Sequence, residues 1–277
     1  MNELNLSKNK KILIHCILII GVITTAIPFI WMILTSLKTL GETTQIPPKI
    51  FPSSPQWSNY KKAIDTLPYG TFYYNTIVYT IVTTIGQLVF CSMAGYAFAR
   101  IDFPGKNFIF ILILSVLMVP GQIFIIPQFM IIKKLGLLNS IPALILPGLF
   151  SAFGTYLMRQ FFQNIPKELE EAAVLDGYNR FQILTKIMLP LVKPALTALA
   201  ISTMLYCWNS LMWPLIANTS IDKMTLSAGL ASMQGQHSTN YPVMMAGTVL
   251  AIWPMIVVFL IFQKQFVEGM AFTGTKG

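Results

Sequence analysis

The residues able to do chemistry in this sequence are few, and most crowd into one stretch. Between Arg159 and Lys193 stand Glu168, Glu170, Glu171 and Asp176, interleaved with Lys167, Arg180 and Lys186. A solvated loop of any polytopic protein carries charges of this kind, so the cluster alone assigns nothing. A second group, Trp208, Asn209 and Trp213, has the ring and amide types that stack on and hydrogen-bond to sugars. The same types anchor helices at an interface or pack between them. Catalytic sets are missing: the sequence holds no His-Glu-x-x-His, no metal-spaced Cys/His group and no Gly-x-Ser-x-Gly elbow. Gly269 to Lys276 looks like a phosphate loop at a glance, but Thr275 separates Gly274 from Lys276 and no helix can follow. No catalytic residue and no metal site is expected, and the chain is expected to carry no cofactor. The sequence has two histidines, His15 and His237, and both are expected to be solvated or interfacial.

What must position these residues is a membrane. Of 277 residues, 55% are hydrophobic and 10% charged, against roughly 25% charged in soluble domains. That argues against a soluble enzyme and rules out a disordered chain, a collagen-like chain and a nucleic-acid reader. Cys16, Cys91 and Cys207 lie inside apolar runs, and an odd number so placed argues against a disulfide framework. A crossing helix needs about 20 apolar residues, and the charge-free stretches predict six spans near 12–36, 72–98, 107–131, 137–158, 195–217 and 243–262. The class is therefore all-α and polytopic, one transmembrane domain over 1–277.

Orientation follows from the short loops. Twelve of the 19 Lys and Arg fall on the side holding both termini, five of them in the loop 159–193. That side is read as cytoplasmic. The opposite loop, 38–70, carries Pro47, Pro48, Pro52, Pro55 and Pro68 and reads as a compact extracytoplasmic cap that cannot propagate a helix. Pro120, Pro127, Pro147, Pro214 and Pro254 interrupt spans and are candidates for kinks. No acidic or basic residue sits mid-span, although one would be expected in a proton- or sodium-driven carrier.

The loop 159–193 has internal order. Pro166 and the acidic residues after it favour a helix start, and Leu169, Ala172 and Ala173 make a narrow apolar face. Asp176-Gly177 stops that helix. A second amphipathic helix follows, with Phe181, Leu184, Ile187 and Met188 on one face and Pro190 and Pro194 ending it. The small alanines would let a partner approach closely.

Glu171-Ala172-Ala173, three residues, Gly177, nine residues, Ile187-x-Leu189-Pro190 resembles the loop of ABC-importer permeases. The resemblance covers nearly the whole chain. Gly95-Tyr96-Ala97-Phe98-Ala99-Arg100, Lys134-Leu135-Gly136-Leu137, Asn209-x3-Trp213-Pro214-Leu215 and Gln265-Phe266-Val267-x-Gly269 are similar to the carbohydrate-uptake branch and its maltose-permease-like second subunits. Tyr178 departs from the alanine usual after the glycine.

The resemblance implies a type I ABC-importer permease fold with a cytoplasmic coupling helix pair, in a bacterial inner membrane. It implies a second permease subunit, two copies of a cytoplasmic ABC ATPase that binds ATP and Mg, an extracytoplasmic solute-binding protein, a carbohydrate substrate and no nucleic acid. Glu171, Ala172, Ala173, Asp176, Gly177, Arg180, Ile187, Leu189 and Pro190 would serve ATPase coupling. Trp208, Asn209 and Trp213 would be candidates for the translocation path. The alternative reading is a self-contained secondary transporter.

Overall fold

The structure, a computed structural model, describes residues 8–234 and 239–274. His237 and Lys276 lie outside the described residues. The described residues are helical, without strands. In chain order they are α1 (Lys8–Ser36), α2 (Leu40–Thr44), α3 (Ser58–Thr66), α4 (Tyr69–Arg100) and α5 (Lys106–Ser115). Next come α6 (Ile125–Lys134), α7 (Ile141–Ile145), α8 (Ala152–Gln163), α9 (Lys167–Leu175) and α10 (Arg180–Gln182). A π-helical stretch, Ile183–Met188, separates α10 from α11 (Leu189–Leu191). The series closes with α12 (Lys193–Asn209), α13 (Met212–Ala217), α14 (Leu226–Ala231) and α15 (Tyr241–Gly274).

Among the described residues, three stretches are long and apolar enough to cross a membrane unbroken: Lys10–Ser36, Tyr69–Arg100 and Tyr241–Gln263. Three bent pairs raise the number to six. Lys106–Met118 and Gly121–Lys134 meet at 103°, Ile141–Gly148 and Ala152–Gln163 at 43°, and Arg180–Leu191 and Lys193–Asn209 at 83°. The spans expected near 107–131 and 137–158 are thus bent. Pro120 and Pro147 lie at or beside these breaks, whereas Pro28 and Pro254 stay inside continuous helices. The span expected over 195–217 ends at Asn209, where Ser210 turns extended before α13.

The chain divides into two compact units. The first comprises residues 1–67 and 230–253. Here the end of α1 is tied to α3 by Asn59, whose Nδ2 donates to the carbonyls of Ser36 and Lys38, each at 2.9 Å. The Ser36 and Tyr60 hydroxyls lie 2.8 Å apart. The proline-rich stretch 38–70 does contain helices: α2 and α3 are short enough to fit between prolines. Thr39 and Glu42 form a capping box on α2, and Glu42 also accepts from the Ser53 amide at 2.8 Å.

The second unit comprises residues 68–229 and 254–277. Its centre is α4 against α8 and α12. A Cβ on Gly95 would come within 2.6 Å of Met158 Cβ, and one on Gly154 within 2.9 Å of Cys91 Sγ. Small residues permit this close approach of helix backbones, as membrane helices favour. The core that results runs from Cys91, Leu157 and Leu199 on the spans to Ala173, Ile183 and Met188 in the 159–193 loop. The loop therefore shares one packed interior with three spans. Cys91 and Cys207 are buried and Cys16 is exposed, all three as free thiols.

Candidate functional site

The helix pair of the loop is built by local signals. Lys167 follows Pro166, with Glu168 and Glu170 in the first turn, where the helix dipole favours carboxylates. At the other end Asp176 caps α9 and Gly177 takes φ 83°. The Gly177 amide donates to Val174 O and the Tyr178 amide to Ala173 O, each at 3.0 Å, the doubled closure of a left-handed glycine cap. Asn179 and Gln182 then cap the next helix reciprocally, each contact 2.9 Å.

That second helix is not a regular α-helix. A π turn carries an extra residue, which shifts the buried face. Ile183, Leu184 and Met188 are buried and Ile187 half-buried, while Phe181, expected on the apolar face, is 65% exposed. Pro190 and Pro194 do not end the helix as expected. Pro190 lies inside α11, and the chain turns at Val192.

The charges converge on Glu170 rather than Glu171. Glu170 is only 8% exposed. Its Oε1 accepts from the Tyr96 hydroxyl at 2.9 Å and from Arg180 Nη1, and its Oε2 faces Arg100 Nε at 3.8 Å. Arg100 Nη2 donates to the carbonyls of Phe162 and Ile165. One carboxylate thus ties α9 to the end of α4 and to α10, and Arg100 in turn holds the end of α8. The Tyr96 hydroxyl, followed by the Glu170 carboxylate, raises Arg180 above the ordinary guanidinium value, against an opposing effect of burial.

Beside this knot opens a cavity of about 570 Å³, lined in part by Arg100, Asp102, Glu171, Leu175 and Arg180. Glu171, Ala172, Asp176 and Gly177 are exposed along it or next to it. Val174 and Leu175 are exposed apolar residues at its edge. Ala173 is 3% exposed and packs inward, so of the two alanines expected to receive a partner only Ala172 faces out. Ile187 and Leu189 support the core from below and Pro190 is exposed. Tyr178 packs on the same core, with Lys186 Nζ 5.3 Å above its ring.

Glu170 was hidden in the sequence by its acidic neighbours. The signal available was its phase: it lies three residues before Ala173, on the same helix face, and Tyr96 and Arg100 recur at a spacing of four on α4.

The aromatic group is not brought together as a path. Trp213 is buried against Tyr79, Leu144 and Cys207, and its indole N–H donates to Ala143 O at 3.1 Å. Its polar handle is used in packing α13 on α7. Asn209 is exposed and donates to Leu205 O, at 2.9 Å, on its own helix. Trp208 is half-buried, and its carbonyl accepts from Ser227 at 2.8 Å.

Comparison with known proteins gives this geometry a family. Residues 87–271 match the family described as "Binding-protein-dependent transport system inner membrane component". The chain belongs to this family. It is a permease component of a binding-protein-dependent ABC importer. The permease is 41% identical over 209 residues to the arabinooligosaccharides transport system permease protein AraQ of Halalkalibacterium halodurans, covering 76% of this chain and 75% of that one. It is 32% identical over 264 residues to the sn-glycerol-3-phosphate transport system permease protein UgpE of Pectobacterium atrosepticum, covering 92% and 94%.

Among solved structures, the permease superposes with a TM-score of 0.81 and 26% identity on a chain of a bacterial ABC transporter involved in the import of the acidic polysaccharide alginate. That superposition covers 94% of this chain and 98% of that one. The fold also matches a chain of the inward-facing MetNI methionine ABC transporter at TM-score 0.53 and 20% identity, over 74% and 95%. The fold is that of type I importer permeases.

Proposed function

We propose that this permease carries a carbohydrate or carbohydrate derivative and is driven by ATPases that grip the 159–193 loop. It would act with a second permease subunit, two copies of a cytoplasmic ABC ATPase holding ATP and Mg, and an extracytoplasmic solute-binding protein. Both termini would be cytoplasmic. The sugar class is supported by the relatives named for arabinooligosaccharides and glycerol phosphate.

The observation that carries the coupling role is the loop's shared interior with α4, α8 and α12. Glu171, Ala172, Asp176 and Gly177 stand at the outer surface of the pair, and Ala173, Ile187 and Leu189 fix that surface to the spans. Arg180 would hold the two short helices together through Glu170, and Pro190 would sit at the corner into α12.

Magnitudes decide how the force travels. An exposed ion pair from Glu171 contributes about 0–1 kcal/mol. Moving a gate from 1:99 to 99:1 needs about 5.5 kcal/mol of differential interaction. Rigid docking of the whole helix pair must therefore do most of the work. Gly177→Asp, at the bend that sets the rigid pair, should leave the chain inserted and bound to its ATPase while uptake per ATP hydrolysed collapses, and Glu171→Ala should lower it by a smaller factor. Wild-type uptake in both variants would sink the role. Purification of the wild-type complex from mild detergent should bring down an ATPase and a second permease, and recovery of the chain alone would count against the whole reading.

A further inference from the structure

A second cavity, about 330 Å³, opens between α4, the break in Ile141–Gln163, and α12. That volume lies within the range of small-molecule sites. Ser202 and Tyr206 lie nine and 13 residues past Lys193, so at 1.5 Å per residue they sit roughly 14 and 20 Å along α12. Gln87, 13 residues before Arg100, is at a similar depth on α4. The cavity is thus at the middle of a hydrocarbon core of about 30 Å.

Three observations say that water, not lipid, fills it. First, the backbone between Gly148 and Ala152 is not helical, and Phe150 is 47% exposed. Irregular backbone at membrane depth is tolerated only when buried in protein or lining an aqueous cavity. Second, Gln87 is a strut: its Nε2 donates to Gly148 O at 2.8 Å and its Oε1 accepts from the Thr203 hydroxyl at 2.9 Å. With both ends satisfied, it holds the broken segment open against α12. Third, Ser202, Thr203 and Tyr206 all line the cavity from α12, so three hydroxyl-bearing side chains border it at a depth where a lipid-facing wall would be apolar. Ser202 is exposed one turn below Tyr206.

We propose that this cavity is a sugar-binding stretch of the translocation path, taking one sugar ring against Tyr206 and Phe153 with its hydroxyls toward Ser202 and the Tyr206 hydroxyl. Gln87 and Thr203 are positioning residues. The chemistry suits a hydroxylated ring: aromatic faces for its C–H edge and neutral hydroxyls for its oxygens, with no charge lining the cavity. The site lies one turn nearer the cytoplasmic end of α12 than Trp208 and Asn209, on a different set of side chains. The identity of the ligand rests on the carbohydrate reading above; the aqueous character of the cavity does not.

The test uses cysteine variants of the assembled complex in native membranes, in a Cys16→Ser background. Tyr206→Cys and Ser202→Cys are treated with a permanently cationic methanethiosulfonate reagent that cannot enter lipid. Ile85→Cys, on the exposed apolar side of α4, is the control at similar depth. Labelling of both cavity positions at least fivefold faster than Ile85→Cys is expected, and labelling no faster than the control overturns the proposal.

Recognition is read separately with two labelled ring-bearing probes, arabinotriose and maltotriose. For whichever is taken up, Tyr206→Ala should lose at least tenfold in uptake while still co-purifying with its partners, and Tyr206→Phe should recover part of it. Undiminished uptake by Tyr206→Ala overturns the recognition role. If Tyr206→Ala fails to assemble, Ser202→Ala is read in its place, and if the wild type takes up neither probe the sugar-ring assignment is overturned whatever the labelling contrast shows. If no ATPase co-purifies with the wild type, it is the coupling reading that fails.

Discussion

Two levels of α4's buried face, its middle and its Arg100 end, solve the same problem with opposite chemistry. At mid-membrane Gln87 bridges two other spans with a neutral amide, accepting from Thr203 and donating to Gly148. Near Arg100 the bridge is ionic: Glu170 reaches Tyr96, Arg100 and Arg180 at once. Each ties three segments together through one side chain. The difference comes from their surroundings. Arg180 is 60% exposed, so bulk solvent shares the charge of the Glu170 knot, whereas Gln87 is buried and both ends of its amide are held by protein groups. Burying a charge at a helix centre costs at least about 2.5–3.5 kcal/mol on insertion scales, while a fully paired amide avoids that penalty.

Swapping the chemistries breaks the comparison most severely. Gln87→Glu should be the most damaging single change, combining a mid-membrane carboxylate with the loss of the donor to Gly148, an added penalty of about 1–3 kcal/mol. Membrane yield and melting temperature in detergent should both fall. The introduced carboxyl would have its pKa raised by burial, so the damage should ease toward acid pH, where it is protonated.

Glu170→Ala comes next. Leaving a buried cation unpaired costs about 3–5 kcal/mol, and the lower end is expected because Arg180 can turn to solvent. Glu170→Gln should cost less stability, since the amide still accepts from Tyr96, yet uncouple uptake from hydrolysis nearly as much. Parallel assays of uptake and ATPase activity on the purified complex check this. If Glu170→Gln couples normally, the charge is dispensable and the two bridges are alike.

Gly177→Ala should have a smaller effect, about 1 kcal/mol, because φ 83° is left-handed. Read by melting temperature, it tests whether the turn or the Glu170 knot holds the helix pair. A loss well beyond that would shift the weight to the turn.

The smallest effect is expected at a carboxylate outside the spans, Glu42, which also lies 3.6 Å from Lys49 Nζ. Hydrogen bonds from Ser53 and Thr39 pull Glu42 down to about 2 from its ordinary 4.5. A depressed carboxyl pKa contributes stability above the ordinary value that is lost as pH falls through the depressed one. The small difference in melting temperature between wild type and Glu42→Gln should therefore persist at pH 6, shrink below about 4.5 and vanish near 2.

Legibility in the sequence divides along the same line, between local and distant causes. The long helices, the glycine stop at 177 and the bend at Pro120 are encoded within a few residues and could be read directly. Glu170 could not be distinguished from Glu168 and Glu171, because it is selected by Tyr96 and Arg100, some 70 positions earlier. Trp213 carried the right chemistry for a sugar, but its position against Ala143 on another helix commits it to packing. Phe181 failed for a third reason: the period assumed for its helix was 3.6, and the π turn after it breaks that period.

That π turn has a hereditary consequence. A π turn amounts to one residue inserted into an α-helix, so the segment Ile183–Met188 is sensitive to its length more than to its letters. Deleting any one of its residues would restore an α-helix and rotate the chain beyond it by about 100° relative to α10. Point substitutions among similar apolar residues there could accumulate with little harm. A single-codon deletion, harmless in most loops, would turn Ser202 and Tyr206 toward a different neighbour. Lineages should therefore conserve the count of residues between Gly177 and Lys193 more strictly than the residues themselves.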